Sequence, residues 1–196
     1  MKLVPIALLS LLLPVTPVVG AGDAEFVAGV FDPPREAPSF SLQGSNGEEL
    51  RLETYSGKVV ILGFGFTSCP DVCPITLSVL AQARTELEAQ SDDLAAQLQV
   101  VYVTVDPATD TPERMRKYLA TFDSTFIGGT GTEKELNAVR REYGIIAQKK
   151  TYGANYTYAH SSYTYLIDRA GRIRALMPYG HTAADYAHDV KILLNE

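Results

Sequence analysis

The stretch that decides the fold is Val59-Val-Ile-Leu-Gly-Phe-Gly-Phe-Thr-Ser-Cys69-Pro-Asp-Val-Cys73-Pro74. Apolar residues fill its first part too densely for a half-exposed strand, which predicts a strand buried on both faces. After Cys73 an amphipathic helical pattern runs from Ile75 to about Gln90. The only two cysteines of the chain therefore lie at a strand-to-helix turn, where a mostly parallel α/β sheet places its chemistry.

The bulk composition is that of one globular domain. The chain has 196 residues, 46% of them hydrophobic and 20% charged, with a net charge of −6. This length suffices for one well-filled domain and is short for two. The acidic balance argues against a nucleic-acid partner, because phosphate contacts need clustered Lys and Arg.

The N-terminal segment differs from the rest of the chain. Residues 1–21 hold one lysine, an uncharged apolar run and a small-residue end. This pattern is typical of a secretory signal peptide, and a membrane anchor is the alternative. No cysteine lies near the end of the segment, so we do not expect a lipoprotein. We expect an exported protein, in a compartment where two cysteines can be oxidised.

The remaining chain has the order of elements of a thioredoxin-like α/β fold. Residues 22–38, with three prolines, are predicted to form an extended linker, and residues 39–196 to form the domain. A hairpin is expected around Asn46-Gly47, before the central strand. A second buried strand spans 98–105, and the rest of the order is helix, helix, hairpin, helix. The sequence thus predicts a thioredoxin-like fold with an N-terminal β-hairpin extension and an inserted helix.

Two prolines place the cysteine sulfurs near a helix N-terminus. Pro74 favours the first position of the helix, which puts Cys73 near its N-cap. Pro70 pushes Cys69 towards an extended conformation. The partial positive charge of a helix N-terminus favours thiolates, which are good nucleophiles and good ligands for a soft metal.

Three interpretations of the cysteine pair compete. A structural disulfide is the default for an exported protein, but so short a loop constrains the unfolded chain very little. A redox-active disulfide between Cys69 and Cys73 is the second. Thioredoxin-type dithiols have two residues between the cysteines, whereas this chain has three. They also need a proline before a later strand, and none occurs between Pro112 and Pro178.

The third interpretation is a metal site completed by His160. This histidine lies in a tyrosine-rich segment, 151–162, which we predict to be a loop facing the cysteines. Two sulfurs and one nitrogen form a soft set that suits trigonal copper(I), and copper(II) with a further oxygen. Zinc would need a fourth protein ligand in a closed site. A lone histidine is more often structural, so the residues by themselves leave the alternatives open.

The cysteine motif resembles the signature of the Sco/SenC family of copper proteins. The resemblance rests on the run from Gly65 to Pro74, on Val105-Asp106-Pro107 with Asp110-Thr111-Pro112-Glu113, and on His160-Ser161 ahead of Tyr165-Leu166-Ile167-Asp168. It implies a copper chaperone, not an enzyme, that is tethered to a membrane or exported. It also implies that Cys69, Cys73 and His160 bind copper as Cu(I) or Cu(II).

The resemblance further implies a partner and a location. Copper would pass to the CuA centre of cytochrome c oxidase subunit II, and another copper chaperone is a further expected partner. The location would be the periplasm or the periplasmic face of the inner membrane. Two rival functions remain open, a thiol-disulfide reductase for CuA-site or other cuproprotein cysteines and a redox or copper sensor.

Some residues depart from the family pattern or fit two roles. The family often has histidine where Ser68 stands and aspartate where Ala159 stands, and the missing carboxylate would alter the surroundings of His160. Asp71 and Asp106 are expected near the cysteines. They would either support the metal ligands or serve turns and helix caps, which is the commoner use of aspartate.

Overall fold

A computed structural model describes residues 25–196, so the predicted signal peptide or anchor, 1–21, lies outside the described residues. Ten strands and five α-helices follow one another along this part of the chain. In order they are β1 (Gly29–Glu36), β2 (Leu42–Gly44), β3 (Glu49–Leu50), β4 (Val59–Gly65), α1 (Val72–Glu88), α2 (Asp92–Ala96), β5 (Leu98–Thr104), α3 (Pro112–Leu119), β6 (Ile127–Thr130), α4 (Glu133–Glu142), β7 (Ala147–Tyr152), β8 (Asn155–His160), β9 (Tyr163–Ile167), β10 (Arg172–Pro178) and α5 (Ala183–Asn195).

Eight of the strands form one mixed sheet in the order β1-β10-β9-β4-β5-β6-β2-β3. Strands β4, β5 and β6 are parallel, and the remaining pairs in this sheet are antiparallel. Every residue of β4 and β5 is buried, as the continuous apolar runs predicted. The predicted hairpin around Asn46-Gly47 is present as β2 and β3. The carboxyl end of β4, at the centre of the sheet, leads directly into the cysteine turn.

The helices begin where the sequence provides side-chain caps. Thr111 accepts a hydrogen bond from the backbone N–H of Arg114, and Pro112 opens α3. Thr132 and Thr182 each form a reciprocal capping box at the start of α4 and α5. Helix α1 packs against both α2 and α5, and α3 packs against β6. Within residues 25–196, no helix has both the length and the apolar character needed to cross a bilayer.

The segment predicted as a linker, 22–38, is in large part a strand of the sheet. Strand β1 pairs with β10 along an edge, and its register shifts between Val30 and Arg35, where Pro33 and Pro34 stand. Proline is tolerated there because an edge strand has a side without a partner and a bulge interrupts the ladder. Buried Asp189 on α5 also holds this segment, accepting hydrogen bonds from the backbone N–H of Val27 and of Ala28.

The segment predicted as a loop, 151–162, is a β-hairpin instead. Strands β7 and β8 form a separate two-stranded antiparallel sheet with Ala147 opposite His160. Gly153, in the left-handed region at φ 61°, makes the tight turn between them. Residues of both strands are exposed or half-buried, so neither shows the buried periodicity that reveals a strand in sequence. The hairpin carries His160 at its end.

Candidate metal site

Helix α1 begins two residues earlier than the sequence predicted. Asp71 is its N-cap residue, and Cys73 and Pro74 are the second and third helical residues. The prediction that Pro74 opens the helix is therefore wrong. The helix accommodates Pro74 because the first four N–H groups of a helix have no intrahelical partner. Cys73 lies in the first turn, and Cys69 lies in the turn just before the helix.

A buried carboxylate fixes the segment that enters the cysteine turn. Asp110 has no exposed surface and accepts hydrogen bonds from the Thr67 backbone N–H at 3.0 Å and from the Thr67 hydroxyl at 2.5 Å. The Thr104 hydroxyl donates to it at 2.6 Å. Arg114 adds hydrogen bonds from Nε to the Thr67 hydroxyl and from Nη2 to the Ser68 hydroxyl. The residues just before Cys69 are thus held from two directions.

The orientation of the His160 ring is set by its neighbours. Its Nδ1 lies 2.8 Å from the carbonyl oxygen of Ser161 and donates to it, which leaves Nε2 with a free lone pair. Nε2 lies 3.4 Å from Sγ of Cys73. The ring also packs edge-on against Phe66, with 5.8 Å between the ring centroids. Metal-binding histidines typically donate a hydrogen bond from one ring nitrogen to a carbonyl oxygen and offer the lone pair of the other to the metal.

Three donor atoms converge at this point. The sulfurs of Cys69 and Cys73 and a ring nitrogen of His160 all lie within 4.8 Å of one another. Neither cysteine is in a disulfide. Cys73 is buried, whereas Cys69 and His160 are both half-buried, so the group reaches solvent through Cys69 and His160. Two sulfurs and one imidazole nitrogen suit a soft ion such as copper(I).

The two cysteines differ in proton affinity although they are neighbours. The pKa of Cys69 is lowered to about 4, chiefly by a hydrogen bond from Cys73, and also by the adjacent His160 ring and by the backbone N–H groups of Asp71 and Cys73. The same hydrogen bond to Cys69, together with burial, raises the pKa of Cys73. The pair therefore holds one proton on the buried sulfur and one negative charge on the half-buried sulfur.

Comparison with known proteins identifies the family. A sequence model described as SCO1/SenC matches residues 31–195. The chain belongs to the SCO1/SenC family. A SCO2-like protein of Rickettsia prowazekii is 35% identical over 136 residues, which are 68% of this chain and 64% of that protein. The chain thus spans a little under two thirds of that relative.

Two solved Sco structures share the fold. The structure of Bradyrhizobium japonicum ScoI with copper bound is 32% identical, with a TM-score of 0.73 over 81% of this chain and 99% of that chain. The solution structures of apo Sco1 from Thermus thermophilus are 31% identical, with a TM-score of 0.78 over 89% of this chain and all of that chain. The predicted thioredoxin-like α/β fold is confirmed.

The two aspartates expected near the site have different positions in this SCO1/SenC protein. Asp71 occupies the N-cap position of α1, but its side chain makes no capping hydrogen bond. Its backbone N–H contributes to lowering the pKa of Cys69. Buried Asp106 accepts hydrogen bonds from the Tyr156 hydroxyl at 3.1 and 3.2 Å and so ties β8 to the end of β5. In the described part of the chain, neither carboxylate joins the group of three donor atoms. His181 pairs with Asp185 and does not belong to that group in the described residues.

One residue beside the site, Tyr102, was not recognised from the sequence. Tyr102 on β5 is buried, and its hydroxyl lies beside the sulfur of Cys73. A tyrosine inside an apolar strand reads as ordinary core. The usable signal is the glycine pair Gly63 and Gly65 on β4, because Gly63 is the direct cross-strand partner of Tyr102.

Proposed function

We propose that this protein is a copper chaperone that binds copper through Cys69, Cys73 and His160. The observation that carries the proposal is the convergence of two sulfurs and one imidazole nitrogen within 4.8 Å. This soft set matches the coordination that copper(I) prefers, and copper(II) can use it with a further oxygen. The copper bound in ScoI of Bradyrhizobium japonicum, a relative of the same fold, supports the choice of metal.

The unequal exposure of the two sulfurs supports a stepwise release of the metal. Cys69 is half-buried and reaches solvent, whereas Cys73 is 1% exposed. A thiolate of an acceptor protein would approach from the side of Cys69 and replace it first, then Cys73. Copper would pass through shared intermediates and never be free. Both cysteines must be reduced to bind metal, so the redox state of the pair controls loading.

The acceptor and the location belong to the same proposal. The CuA centre of cytochrome c oxidase subunit II would be the acceptor, and a second copper chaperone would load the site. The protein would act in the periplasm or on the periplasmic face of the inner membrane. Membership of the SCO1/SenC family supports this assignment.

Removing the imidazole tests the site. Copper stoichiometry and affinity are measured on the reduced protein in both oxidation states, for wild type, His160→Ala and the control His181→Ala. We expect one copper per chain and a loss of affinity of roughly 100-fold or more in His160→Ala, because one of three ligands is gone. His181→Ala should bind as wild type does. Absence of binding at sub-micromolar copper in the wild type would overturn the proposal.

A thiol-disulfide reductase is the second candidate function, and the difference in burial and pKa between the two cysteines favours it. A half-buried thiolate beside a buried thiol is the arrangement of a nucleophilic and a resolving cysteine. The substrate would be an oxidised cysteine pair of a CuA domain. The step would transfer two electrons to that pair and leave a Cys69–Cys73 disulfide. If His160→Ala binds copper as tightly as wild type and exchange with an oxidised dithiol needs only the cysteines, the reductase function replaces the chaperone function.

A further inference from the structure

Tyr102 is placed against the site by two glycines of the neighbouring strand. A Cβ atom added to Gly63 would lie 3.0 Å from the Tyr102 ring, and one added to Gly65 would lie 2.6 Å from Cζ and 1.8 Å from the hydroxyl oxygen. No other residue type at position 65 leaves room for the hydroxyl. The ring of Tyr102 therefore occupies the space that side chains at 63 and 65 would fill.

The hydroxyl of Tyr102 meets the more buried of the two sulfurs. The same added Cβ on Gly65 would also lie 2.9 Å from Sγ of Cys73. The hydroxyl of Tyr102 and the sulfur of Cys73 are therefore both close to the point that a side chain at position 65 would occupy. The hydroxyl therefore lies beside this sulfur, in a position to donate a hydrogen bond to it. A phenol is protonated at neutral pH, and a thiolate has no proton to give. When Cys73 is a thiolate, Tyr102 is necessarily the donor.

A hydrogen bond to a metal-bound sulfur changes its donation to the metal. The donor draws electron density from the thiolate, which weakens its bond to electron-poor copper(II) more than its bond to copper(I). Hydrogen bonding around a cysteine sulfur tunes the potential of copper-thiolate sites in this way. Cys73 is 1% exposed, so water does not compete for this role.

We propose that Tyr102 is a positioning residue that acts through Cys73 and shifts the preference of the site from copper(II) towards copper(I). This inference rests on the proposed function, because it requires copper on Cys73. It concerns a residue outside the three ligands and the oxidation state that they favour.

The test removes one oxygen atom. Tyr102→Phe keeps the ring that fills the space over Gly63 and Gly65, so the core retains its packing. Tyr118→Phe is the matched control, because the Tyr118 hydroxyl is buried without a hydrogen-bond partner in the described part of the chain. It also lies close enough to the cysteines for their charge to raise the pKa of Tyr118, after the larger effect of burial. Thermal unfolding verifies that both variants fold.

Three readouts report on the sulfur, not merely on activity. These are the sulfur-to-copper(II) charge-transfer band, the copper(II)/copper(I) midpoint potential, and the ratio of the affinities for the two ions. In Tyr102→Phe we expect the band at lower energy and the ratio moved towards copper(II) by about tenfold, since hydrogen bonds to charged groups reach this size. A tenfold change corresponds to a potential lower by about 59 mV for one electron. Tyr118→Phe should leave all three unchanged.

The outcomes separate the two proposals. If wild type binds copper and Tyr102→Phe matches it in band, potential and ratio, the role of Tyr102 is refuted and the chaperone function stands. An equal shift in Tyr118→Phe would also refute it, since a general change in the core would be the cause. If wild type binds no copper, both proposals fall.

Discussion

Replacing Asp110 with alanine should strongly destabilise the protein. The carboxylate is fully buried, and it accepts three hydrogen bonds, from the backbone N–H and the hydroxyl of Thr67 and from the hydroxyl of Thr104. In the alanine variant these three donors would have no acceptor. A buried donor left without a partner costs about 1–3 kcal/mol. Thr67 is half-buried and regains some hydration, so we expect a total of about 4 kcal/mol. Domains of this kind have about 5–15 kcal/mol to lose.

The assay is urea unfolding followed by circular dichroism on reduced protein. With a slope of about 2 kcal/mol per molar urea, the midpoint should fall by about 2 M. Asp110→Asn keeps the shape and one acceptor oxygen, and should lie between alanine and wild type. Glu113→Ala, an exposed carboxylate paired with Lys117 on α3, is the control and should unfold as wild type does. A midpoint for Asp110→Ala within error of wild type would refute the reasoning.

Two further predictions concern the glycine strand and the cysteine pair. Gly65→Ala should lower the free energy of unfolding by about 1–3 kcal/mol, measured by the same assay, because the new Cβ overpacks against Tyr102. The control is Gly29→Ala, whose Cβ would meet only a carbonyl oxygen at 3.8 Å, and it should unfold at nearly the wild-type midpoint. Equal midpoints for the two variants would contradict the predicted clash. Because the pKa of Cys69 is lowered to about 4, its alkylation by iodoacetamide, followed by mass spectrometry, should be nearly constant from about pH 5 to pH 8 and fall below about pH 4. Cys73→Ala removes the hydrogen-bond donor, so it should raise the pKa of Cys69 and move the fall in alkylation rate to higher pH. A wild-type rate still climbing at about pH 8 would contradict the thiolate assignment.

The central part of the fold followed from the sequence because its physical signals were local and strong. Dense apolar runs marked β4 and β5, and the predicted order of the later helices and hairpin agrees with that of α3, α4, β9–β10 and α5. The hairpin β7–β8 could not be predicted, because its residues are too exposed to show a buried period. Strand β1 was obscured by its prolines, which only an edge strand with a bulge tolerates.

The candidate site was predicted in its parts but not in its supports. The topology put His160 opposite Cys69 and Cys73, and the structure brings the three together. The hydrogen bonds of Asp110, and the placement of Tyr102 beside Cys73, join residues from different elements. Such pairings depend on tertiary register, which no local pattern in the sequence reveals. The predicted start of α1 was wrong for a local reason. Proline is tolerated at any of the first helical positions, so Pro74 did not fix which of them it occupies.

The three candidate ligands come from two structural bodies. Cys69 and Cys73 stand at the junction of β4 and α1, in the packed centre of the eight-stranded sheet, whereas His160 ends the separate two-stranded sheet. The distance between the sulfurs is therefore set by the core, and the distance from sulfur to imidazole by the seating of the hairpin. A partner that lifts the hairpin would reduce the coordination number of a bound ion from three to two and leave the dithiol geometry intact. Under the proposed function, such a hinge movement would loosen the ion for the acceptor thiolate that replaces Cys69, without any unfolding of the domain.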